Sequence, residues 1–310
     1  MSILVTGGAG FIGSHVVDRL IRDGHRVAVL DDLSTGRREH VHPAAALHVC
    51  DIRSSQLDDV FAAVGPDAVV HVAAQAAVAR SVADPVFDAS VNVLGTAALL
   101  EACRRASVHR VVYTSTGGAA YGDTEALPTP EDHPTRAVSP YGLSKVTAER
   151  YLDLWAGAAG GRGLTLRLAN VYGPRQNPEG EAGVVAIFAS RLVRGEPCVV
   201  YGDGEQTRDY VYVEDVADAV ARALARPEAT GPMNIGTGIE TTVNELYRRL
   251  ARAAGVGRAA THGPPRPGEQ RRSVLDPSRA KAQLGWTPTT ALDDGLAKTL
   301  TYFQRLGQRG

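Results

Sequence analysis

The segment TGGAGFIG at positions 6–13 constrains the fold of this chain more than any other part of its sequence. It lies between an apolar run of strand length and an amphipathic pattern of helix length, so it marks a strand-to-helix turn. Gly7, Gly10 and Gly13 have the spacing that permits a tight turn, close backbone approach to a pyrophosphate and close helix–sheet packing. The segment therefore predicts a dinucleotide-binding loop.

The residues after the loop indicate which dinucleotide is expected. The first N–H groups of the helix, those of Phe11 and Ile12, and the helix dipole favour a bound pyrophosphate. Asp31 closes the second apolar run, where a carboxylate can bind both hydroxyls of the adenosine ribose and would repel a 2′-phosphate. NAD is therefore predicted over NADP, although Arg37 and Arg38 argue against this. The neighbouring residues that we expect to border the cofactor are Asp32, Ser34, Thr35 and Gly36.

The order of apolar runs and helix patterns indicates the fold class. Continuous β-branched runs fit strands that are covered on both faces, as in a parallel sheet, and helix patterns separate them. We expect strands at Ile3–Thr6, Val27–Asp31, Leu47–Cys50, Ala68–Val72, Val111–Ser115 and Leu164–Leu168. The alternation predicts an α/β fold with a doubly wound parallel sheet, a Rossmann fold.

After about Gly173, frequent prolines and glycines divide the sequence into short segments. We therefore expect residues 1–173 to form the NAD-binding domain and residues 174–310 to form a smaller C-terminal α/β lobe that binds the substrate. A helix pattern and a strand pattern near residues 211–236 could return to the large domain.

Composition excludes several classes of protein. The 33 basic and 34 acidic residues leave a net charge of −1, which gives no electrostatic surplus for nucleic acid or an anionic membrane. No run of 18 apolar residues predicts a membrane-spanning helix, and the chain opens directly into an apolar run without a leader pattern. The three cysteines have no disulfide or zinc spacing, so no metal is expected. These features favour a cytoplasmic protein.

Tyr141 and Lys145 are four residues apart, which places a phenol and an ammonium on one face of a helix. A nearby cation favours the phenolate and would lower the tyrosine pKa, so that Tyr141 could act as a general base. Ser115 and Thr116 lie at the carboxyl end of an expected strand, where doubly wound sheets carry ligand sites. A hydroxyl there can bind the substrate oxygen that the tyrosine deprotonates.

Together these motifs resemble the extended short-chain dehydrogenase/reductase superfamily. Within it the chain is similar, along nearly its whole length, to the NAD-dependent nucleotide-sugar 4-epimerases. The resemblance implies a homodimer and further cofactor contacts from Asp51, Ile52, Ala73, Ala74, Gln75 and Asn92. It implies that the UDP-sugar is bound by Asn170, Tyr201, Arg208, Arg266 and Glu269, with Ser273 beside the C2 substituent of the sugar.

The catalytic hydroxyl can be placed in two ways. Counting back from Tyr141 by the family interval selects Thr116, whereas counting from Tyr121 selects Gly117, which carries no hydroxyl. Thr116 is therefore the expected partner of Tyr141, with Ser115 as the alternative. The resemblance implies that Tyr141 removes the proton of the sugar 4-hydroxyl while C4 transfers a hydride to NAD. The resulting 4-keto sugar then turns in the cleft and is reduced on its other face.

Related activities are less well matched. Dehydratases and decarboxylases of this superfamily carry carboxylic acids just after the catalytic threonine, where this chain has Gly117-Gly118-Ala119. Hexuronate 4-epimerases are the nearest alternative, but Asn170 and Asn177 favour a neutral hexose, and Arg80 is the cation that argues for a carboxylate. A plain NAD-dependent dehydrogenase would not need the UDP contacts, and Tyr141 argues against a non-catalytic NAD sensor.

Overall fold

The structure is a computed structural model, and it describes residues 1–158, 160–179, 183–265 and 270–308. The strands of the large sheet are β1 (Ser2–Thr6), β2 (Arg26–Asp31), β3 (Ala46–Val49), β4 (Ala68–His71), β5 (Arg110–Thr116), β6 (Arg162–Leu168) and β11 (Gly231–Ile235). The shorter strands are β7 (Asn170–Tyr172), β8 (Val199–Tyr201), β9 (Thr207–Arg208), β10 (Tyr210–Tyr212), β12 (Thr241–Thr242) and β13 (Thr261–Gly263).

Helices separate most of these strands. They are α1 (Phe11–Arg22), α2 (Leu57–Val64), α3 (Val78–Ala83), α4 (Pro85–Ala89), α5 (Gly95–Arg105), α6 (Gly118–Tyr121), α7 (Pro140–Ala158), α8 (Val184–Val193), α9 (Val213–Ala225), α10 (Val243–Ala253), α11 (Ser278–Leu284) and α12 (Leu292–Gly307). A π-helical turn at Ser90–Leu94 joins α4 to α5, and a short 3₁₀ helix covers Arg38–His40.

The large sheet is entirely parallel and has the strand order β11-β6-β5-β4-β1-β2-β3. The predicted doubly wound α/β fold is therefore confirmed. The order reverses between β1 and β4, so the carboxyl ends of these strands border the crevice in which such sheets bind ligands. The glycine loop follows β1, and Thr116 ends β5.

Apolar residues cover both faces of this sheet. One cluster joins Val17 of α1 to Val220 of α9, and the other joins Leu99 of α5 to Leu152 of α7. A third cluster, built around Phe188 and Leu250, lies in the C-terminal part of the chain. These clusters hold the large sheet between two helical layers and give the C-terminal part a core of its own.

The large sheet includes chain from beyond Gly173. Strand β11 pairs with β6 from Gly231↔Leu164 to Ile235↔Leu168, and α9 packs against α1. The division of the chain at Gly173 stays a prediction, because nothing here tests where one domain ends.

The continuous helical stretch Pro85–Arg105 differs from the sequence expectation about membranes. The sequence contains no long apolar run, but this helical stretch is long and apolar enough to cross a bilayer. Within the protein, 44% of its most apolar window is buried. Leu99, Leu100 and Cys103 pack in the core beneath the sheet. One side of the stretch is therefore part of the core, whereas Val86 and Leu94 are exposed.

Candidate active site

The glycine loop forms a close contact between β1, α1 and the end of β4. Gly7 has φ +71°, and a Cβ there would lie 2.6 Å from the backbone nitrogen of Ala73. A Cβ at Gly13 would lie 2.0 Å from the carbonyl oxygen of Gly7, so neither position tolerates a side chain. At Gly10, which caps α1, a Cβ would meet only the Gly7 carbonyl oxygen, at 3.3 Å. Gly10 thus leaves room beside its backbone at the N-terminus of α1, which fits close approach of a pyrophosphate.

Asp31 is held at the carboxyl end of β2 by backbone donors. Its Oδ2 accepts from the N–H of Ala9 at 2.9 Å, and its Oδ1 accepts from the N–H of Leu33 at 2.9 Å. Burial raises the pKa of the Asp31 carboxyl, an effect that these two hydrogen bonds oppose. A Cβ at Gly36 would lie 2.7 Å from its Oδ1, so the following loop folds directly over the carboxylate. Two fixed oxygens with unused lone pairs fit the hydroxyls of a ribose.

The loop after Asp31 is organised by Asp32. Its Oδ1 accepts from the N–H and the hydroxyl of Ser34, at 2.9 and 2.7 Å. Thr35 completes this exposed turn. After β3, Asp51 forms an ion pair with Arg53, and the hydrogen bonds from Arg53 lower the pKa of Asp51. The neighbouring Ile52 is buried against Gly95, and its expected contact with the adenine stays a prediction.

The segment after β4 is held by amide pairing. The side chain of Asn92, in the π-helical turn, accepts from the N–H of Gln75 at 2.9 Å and donates to its carbonyl at 2.9 Å. Asn92 also donates to the hydroxyl of Ser144, at 3.0 Å. Ala73 donates its N–H to the carbonyl of Thr6 at 3.1 Å, and Ala74 follows it. The end of β4 is thereby fixed between the glycine loop and α7.

Tyr141, Lys145 and Thr116 lie together at the carboxyl end of β5. The side chain of Thr116 lies close enough to the Tyr141 hydroxyl to lower the pKa of Tyr141. Lys145, which is 3% exposed, places its Nζ 4.3 Å from the centre of the Tyr113 ring. The structure therefore brings the predicted phenol, ammonium and hydroxyl into one site.

Ser115 has a different partner from Thr116. Successive side chains of a strand point to opposite faces, and the Ser115 hydroxyl donates to Oε1 of Glu149 at 2.5 Å. Glu149 in turn forms a buried ion pair with Arg167, at 2.7 Å. Ser115 therefore takes part in the helix–sheet contact, whereas Thr116 lies beside Tyr141, and the choice between the two hydroxyls stays a prediction.

Burial shifts the pKa values of both Tyr141 and Lys145. Burial raises the pKa of Tyr141 to about 12, an effect that the hydrogen bond from Thr116 only partly opposes. Burial lowers the pKa of Lys145 to about 7, while the charges of Glu149 and Asp88 act in the opposite direction. Burial is the largest influence on the Tyr141 pKa in this structure, and the lowering of that pKa by Lys145 stays a prediction.

His71 lies beneath this site with both ring nitrogens occupied. It contacts the hydroxyl of Thr6 at 2.7 Å and that of Thr96 at 3.0 Å. Burial lowers the pKa of His71 to about 3, so the ring is neutral. Its ring packs against Tyr113 with 5.3 Å between the centroids. These contacts make His71 a support for the site rather than a competing base.

The expected substrate residues occupy the C-terminal part of the chain. Tyr201, at the end of β8, is 38% exposed and lines a cavity of about 430 Å³ with Gly263 and Arg271. Arg208 lies in β9, and Asn170 is exposed at the start of β7. Arg266 and Glu269 lie outside the described residues.

Ser273 and Arg80 complete the expected set. Ser273 is buried, and its Oγ would lie 2.9 Å from a Cβ at Gly118, two positions beyond Thr116. It therefore lies beside the start of α6, the helix that follows Thr116. Arg80 lies in α3, and its guanidinium stacks over the Phe87 ring at 4.0 Å. No contact within the described residues links Arg80 to the other expected substrate residues.

Sequence reasoning missed two buried acids. Glu149 follows Lys145 by four positions, and Asp88 precedes Asn92 by four, so each shares a helix face with a predicted site residue. That four-residue spacing could have indicated that Glu149 and Asp88 lie near the predicted site. Their burial depends on packing between α4, α7 and β6, which no local pattern shows.

Comparison with known proteins identifies the family and the solved structures that this chain resembles. The model of the NAD dependent epimerase/dehydratase family matches residues 3–236. A UDP-glucose 4-epimerase of Mycolicibacterium smegmatis is 48% identical over 99% of this chain and all of that protein. A Thermotoga maritima UDP-glucose 4-epimerase with UDP-glucose is 46% identical, with a TM-score of 0.95 and 99% of each chain covered. A Thermus thermophilus UDP-glucose 4-epimerase complex with NAD is 46% identical, with a TM-score of 0.94 and coverage of 98% and 99%.

Proposed function

The chain belongs to the NAD dependent epimerase/dehydratase family, and from this premise we propose that it is a UDP-hexose 4-epimerase that interconverts UDP-glucose and UDP-galactose. The observation that carries the proposal is the contact between Thr116 and Tyr141 beside Lys145, at the carboxyl end of β5. This arrangement can remove a proton from a sugar hydroxyl and return it later to the same oxygen, so the reaction needs no net proton exchange.

The chain's own residues fit NAD. The open N-terminus of α1 would hold the pyrophosphate, and the fixed carboxylate of Asp31 would bind the adenosine ribose. When bound, NAD accepts a hydride from the sugar carbon and returns it. Lys145 and Tyr141 lie in α7, where Lys145 would bind the second ribose. Cofactor binding by this chain would therefore depend on the N-terminus of α1, on Asp31 and on Lys145.

Each catalytic side chain has a defined task in the mechanism. Tyr141 takes the proton of the sugar 4-hydroxyl and later returns it to the 4-keto oxygen. Thr116 donates a hydrogen bond that favours the phenolate form of Tyr141. Lys145 provides a buried positive charge above Tyr113. Arg208 and Asn170 would hold the diphosphate while the sugar turns.

Packing argues against the dehydratase and decarboxylase alternatives. A Cβ at Gly117 would lie 2.4 Å from Cδ1 of Leu275, and one at Gly118 would lie 2.9 Å from Oγ of Ser273. The side chains of Leu275 and Ser273 therefore occupy the space that an acidic side chain at 117 or 118 would need. An acid pair could enter only if Leu275 moved.

The experiment that tests the function is incubation of the purified enzyme with UDP-glucose, UDP-glucuronate and UDP-N-acetylglucosamine, each alone. We expect UDP-galactose from UDP-glucose, resolved by chromatography, and no net change in the absorbance of added NADH. The matched control is Tyr141→Phe, which keeps the ring and removes the proton acceptor. Epimerisation of UDP-glucuronate alone would favour the hexuronate enzyme, and net NADH consumption would favour a dehydrogenase.

We also propose that the protein is a cytoplasmic homodimer. Helix α7 exposes Leu143, Tyr151 and Leu154, which are 61%, 42% and 72% exposed and share one face. Leu94, next to α5, is 64% exposed, and α5 packs against α7. A second copy of the chain would cover this apolar face, in line with the dimer that the family resemblance implies.

A further inference from the structure

Asp88 is a buried acid in α4 whose carboxylate is only half satisfied. The residue is 1% exposed, and its Oδ1 accepts from Nε2 of Gln75 at 2.8 Å and from Nδ2 of Asn92 at 3.1 Å. Its Oδ2 has no hydrogen-bond partner within the part of the chain that the structure describes. A buried carboxylate with an unpaired oxygen destabilises a fold, because desolvation of the charge is not compensated.

The hydrogen bonds of Asp88 do not explain why this residue is an acid. Both are accepted by Oδ1, and the amide oxygen of an asparagine could accept them equally well. An asparagine would also remove the buried charge. Packing and hydrogen bonding therefore do not explain why residue 88 is an aspartate rather than an asparagine.

Asp88 is connected through Asn92 to the helix that carries Tyr141 and Lys145. Helix α4 packs against α7, and Asn92 links the Asp88 carboxylate to the hydroxyl of Ser144, which lies between Tyr141 and Lys145 in the sequence. The charge of Asp88 raises the pKa of both Tyr141 and Lys145. The carboxylate is thus fixed within electrostatic reach of the catalytic pair.

Other charged and titratable groups around the pair are already committed. Glu149 is paired with Arg167, and His71 is neutral between two hydroxyls. Tyr113 presents its ring to Lys145. Arg80 of α3 stacks on Phe87. Among the described residues that face the pair, Asp88 is the acid that no cation neutralises directly.

We propose that Asp88 is a positioning residue that supplies the buried negative charge facing Tyr141 and Lys145 and thereby sets the pH range in which the pair works. The inference rests on the proposed function for the roles of Tyr141 and Lys145. Asp88 touches neither the substrate nor the cofactor in this account, and it acts only through the pair.

The substitution Asp88→Asn tests the proposal. Removal of a negative charge lowers the proton affinity of both partners, so both limbs of the kcat–pH profile should move to lower pH. The expected displacement is at least about 0.5 pH unit, since loss of one charge through an effective dielectric constant of about 20 changes a pKa by that much even at a separation of roughly 20 Å. A merely structural role would lower activity or stability without displacing the limbs.

A direct readout is available because the chain has only three lysines, at positions 145, 281 and 298. In protein carrying ¹³C-labelled lysine, Lys281→Arg and Lys298→Arg identify the signal of Lys145 by elimination. Its pH titration requires no turnover, so failure of the proposed function and failure of this inference are distinguishable. We expect Lys145 to titrate at lower pH in Asp88→Asn than in the wild type.

Asp84→Asn is the matched control, because it removes a like charge from an exposed position at the N-terminus of the same helix. It should leave the Lys145 titration unchanged. Asp88→Ser provides a second charge deletion if Asp88→Asn folds poorly. An unchanged Lys145 titration in the Asp88 variants, or an equal displacement in Asp84→Asn, would overturn the proposal.

Discussion

At the scale of single residues, the neighbouring hydroxyls of Ser115 and Thr116 have different partners. Thr116→Val keeps the shape of the side chain and removes the hydrogen bond to Tyr141. We expect kcat to fall by about 10²-fold, within the range for loss of a proton-transfer partner, while the KM for UDP-glucose changes little. Steady-state kinetics measure both constants.

Ser115→Ala is the comparison for that variant. It removes the hydrogen bond to Glu149 in the buried contact between β5 and α7, so we expect a loss of stability of about 1–2 kcal/mol and a smaller fall in kcat. If Ser115→Ala lowers kcat more than Thr116→Val, the assignment of the catalytic hydroxyl is reversed.

Ser273 provides a test of substrate size. Its side chain lies beside Gly118, two positions beyond Thr116, so we expect a larger side chain at 273 to reduce the space for the sugar. We expect the wild type to accept UDP-N-acetylglucosamine at least weakly. Ser273→Tyr should lower kcat/KM for that sugar at least about tenfold relative to UDP-glucose, because exclusion by a clash is selective.

Ser273→Ala is the matched control for bulk, because it removes the hydroxyl without filling space. It should retain the ratio of the two kcat/KM values. An unchanged ratio in Ser273→Tyr would show that position 273 does not border the C2 substituent.

Much of the site could be predicted from the sequence because its parts lie at short, fixed spacings. The glycine loop, Asp31 and the Tyr141–Lys145 pair each follow from one turn or one helix face. The pKa values could not be predicted, because burial of the Tyr141 phenolate depends on how α4, α6 and the sheet enclose it. The partner of Ser115 is 34 residues away in the sequence, so no local pattern indicates it.

At the scale of elements, β5, β6 and α7 are joined by the buried pair Glu149–Arg167, with side chains 5% and 4% exposed. Arg167→Met leaves the Glu149 charge buried without its partner. We expect the free energy of unfolding to fall by about 3–5 kcal/mol, measured by urea denaturation. The double variant Glu149→Leu/Arg167→Met removes both charges and should recover part of that loss.

The exposed pair Glu101–Arg104 is the control for this cycle, with side chains 46% and 58% exposed. Its Arg104→Met variant should change stability by less than about 1 kcal/mol. A double variant at 149 and 167 that is less stable than the single variant at 167 would contradict the account of the buried pair.

The strands of the large sheet could be predicted to within a few residues, because continuous apolar runs are typical of buried parallel strands. The π-helical turn at Ser90–Leu94 could not, since its amphipathic pattern resembles that of an ordinary helix. It carries Asn92 toward Gln75 and Ser144. The short strands of the C-terminal part also lack a clear pattern, because pairs of two or three residues depend on tertiary contacts.

At the scale of the whole molecule, the proposed homodimer predicts the effect of a charge on the exposed face of α7. Leu154→Glu places a carboxylate in an interface that would otherwise be apolar, so the dimer should dissociate. Sedimentation velocity should show a dimer for the wild type and a monomer for this variant. Leu306→Glu, at an exposed leucine of α12, should remain a dimer. A monomeric wild type would contradict the proposal.

In the proposed reaction, C4 of the sugar loses and regains the same hydride within one active site. Conversion of UDP-glucose that carries deuterium at C4, in ordinary water, tests this by mass spectrometry and NMR of the product. We expect UDP-galactose that retains the deuterium at C4. UDP-galactose with solvent hydrogen at C4, or no UDP-galactose at all, would contradict it.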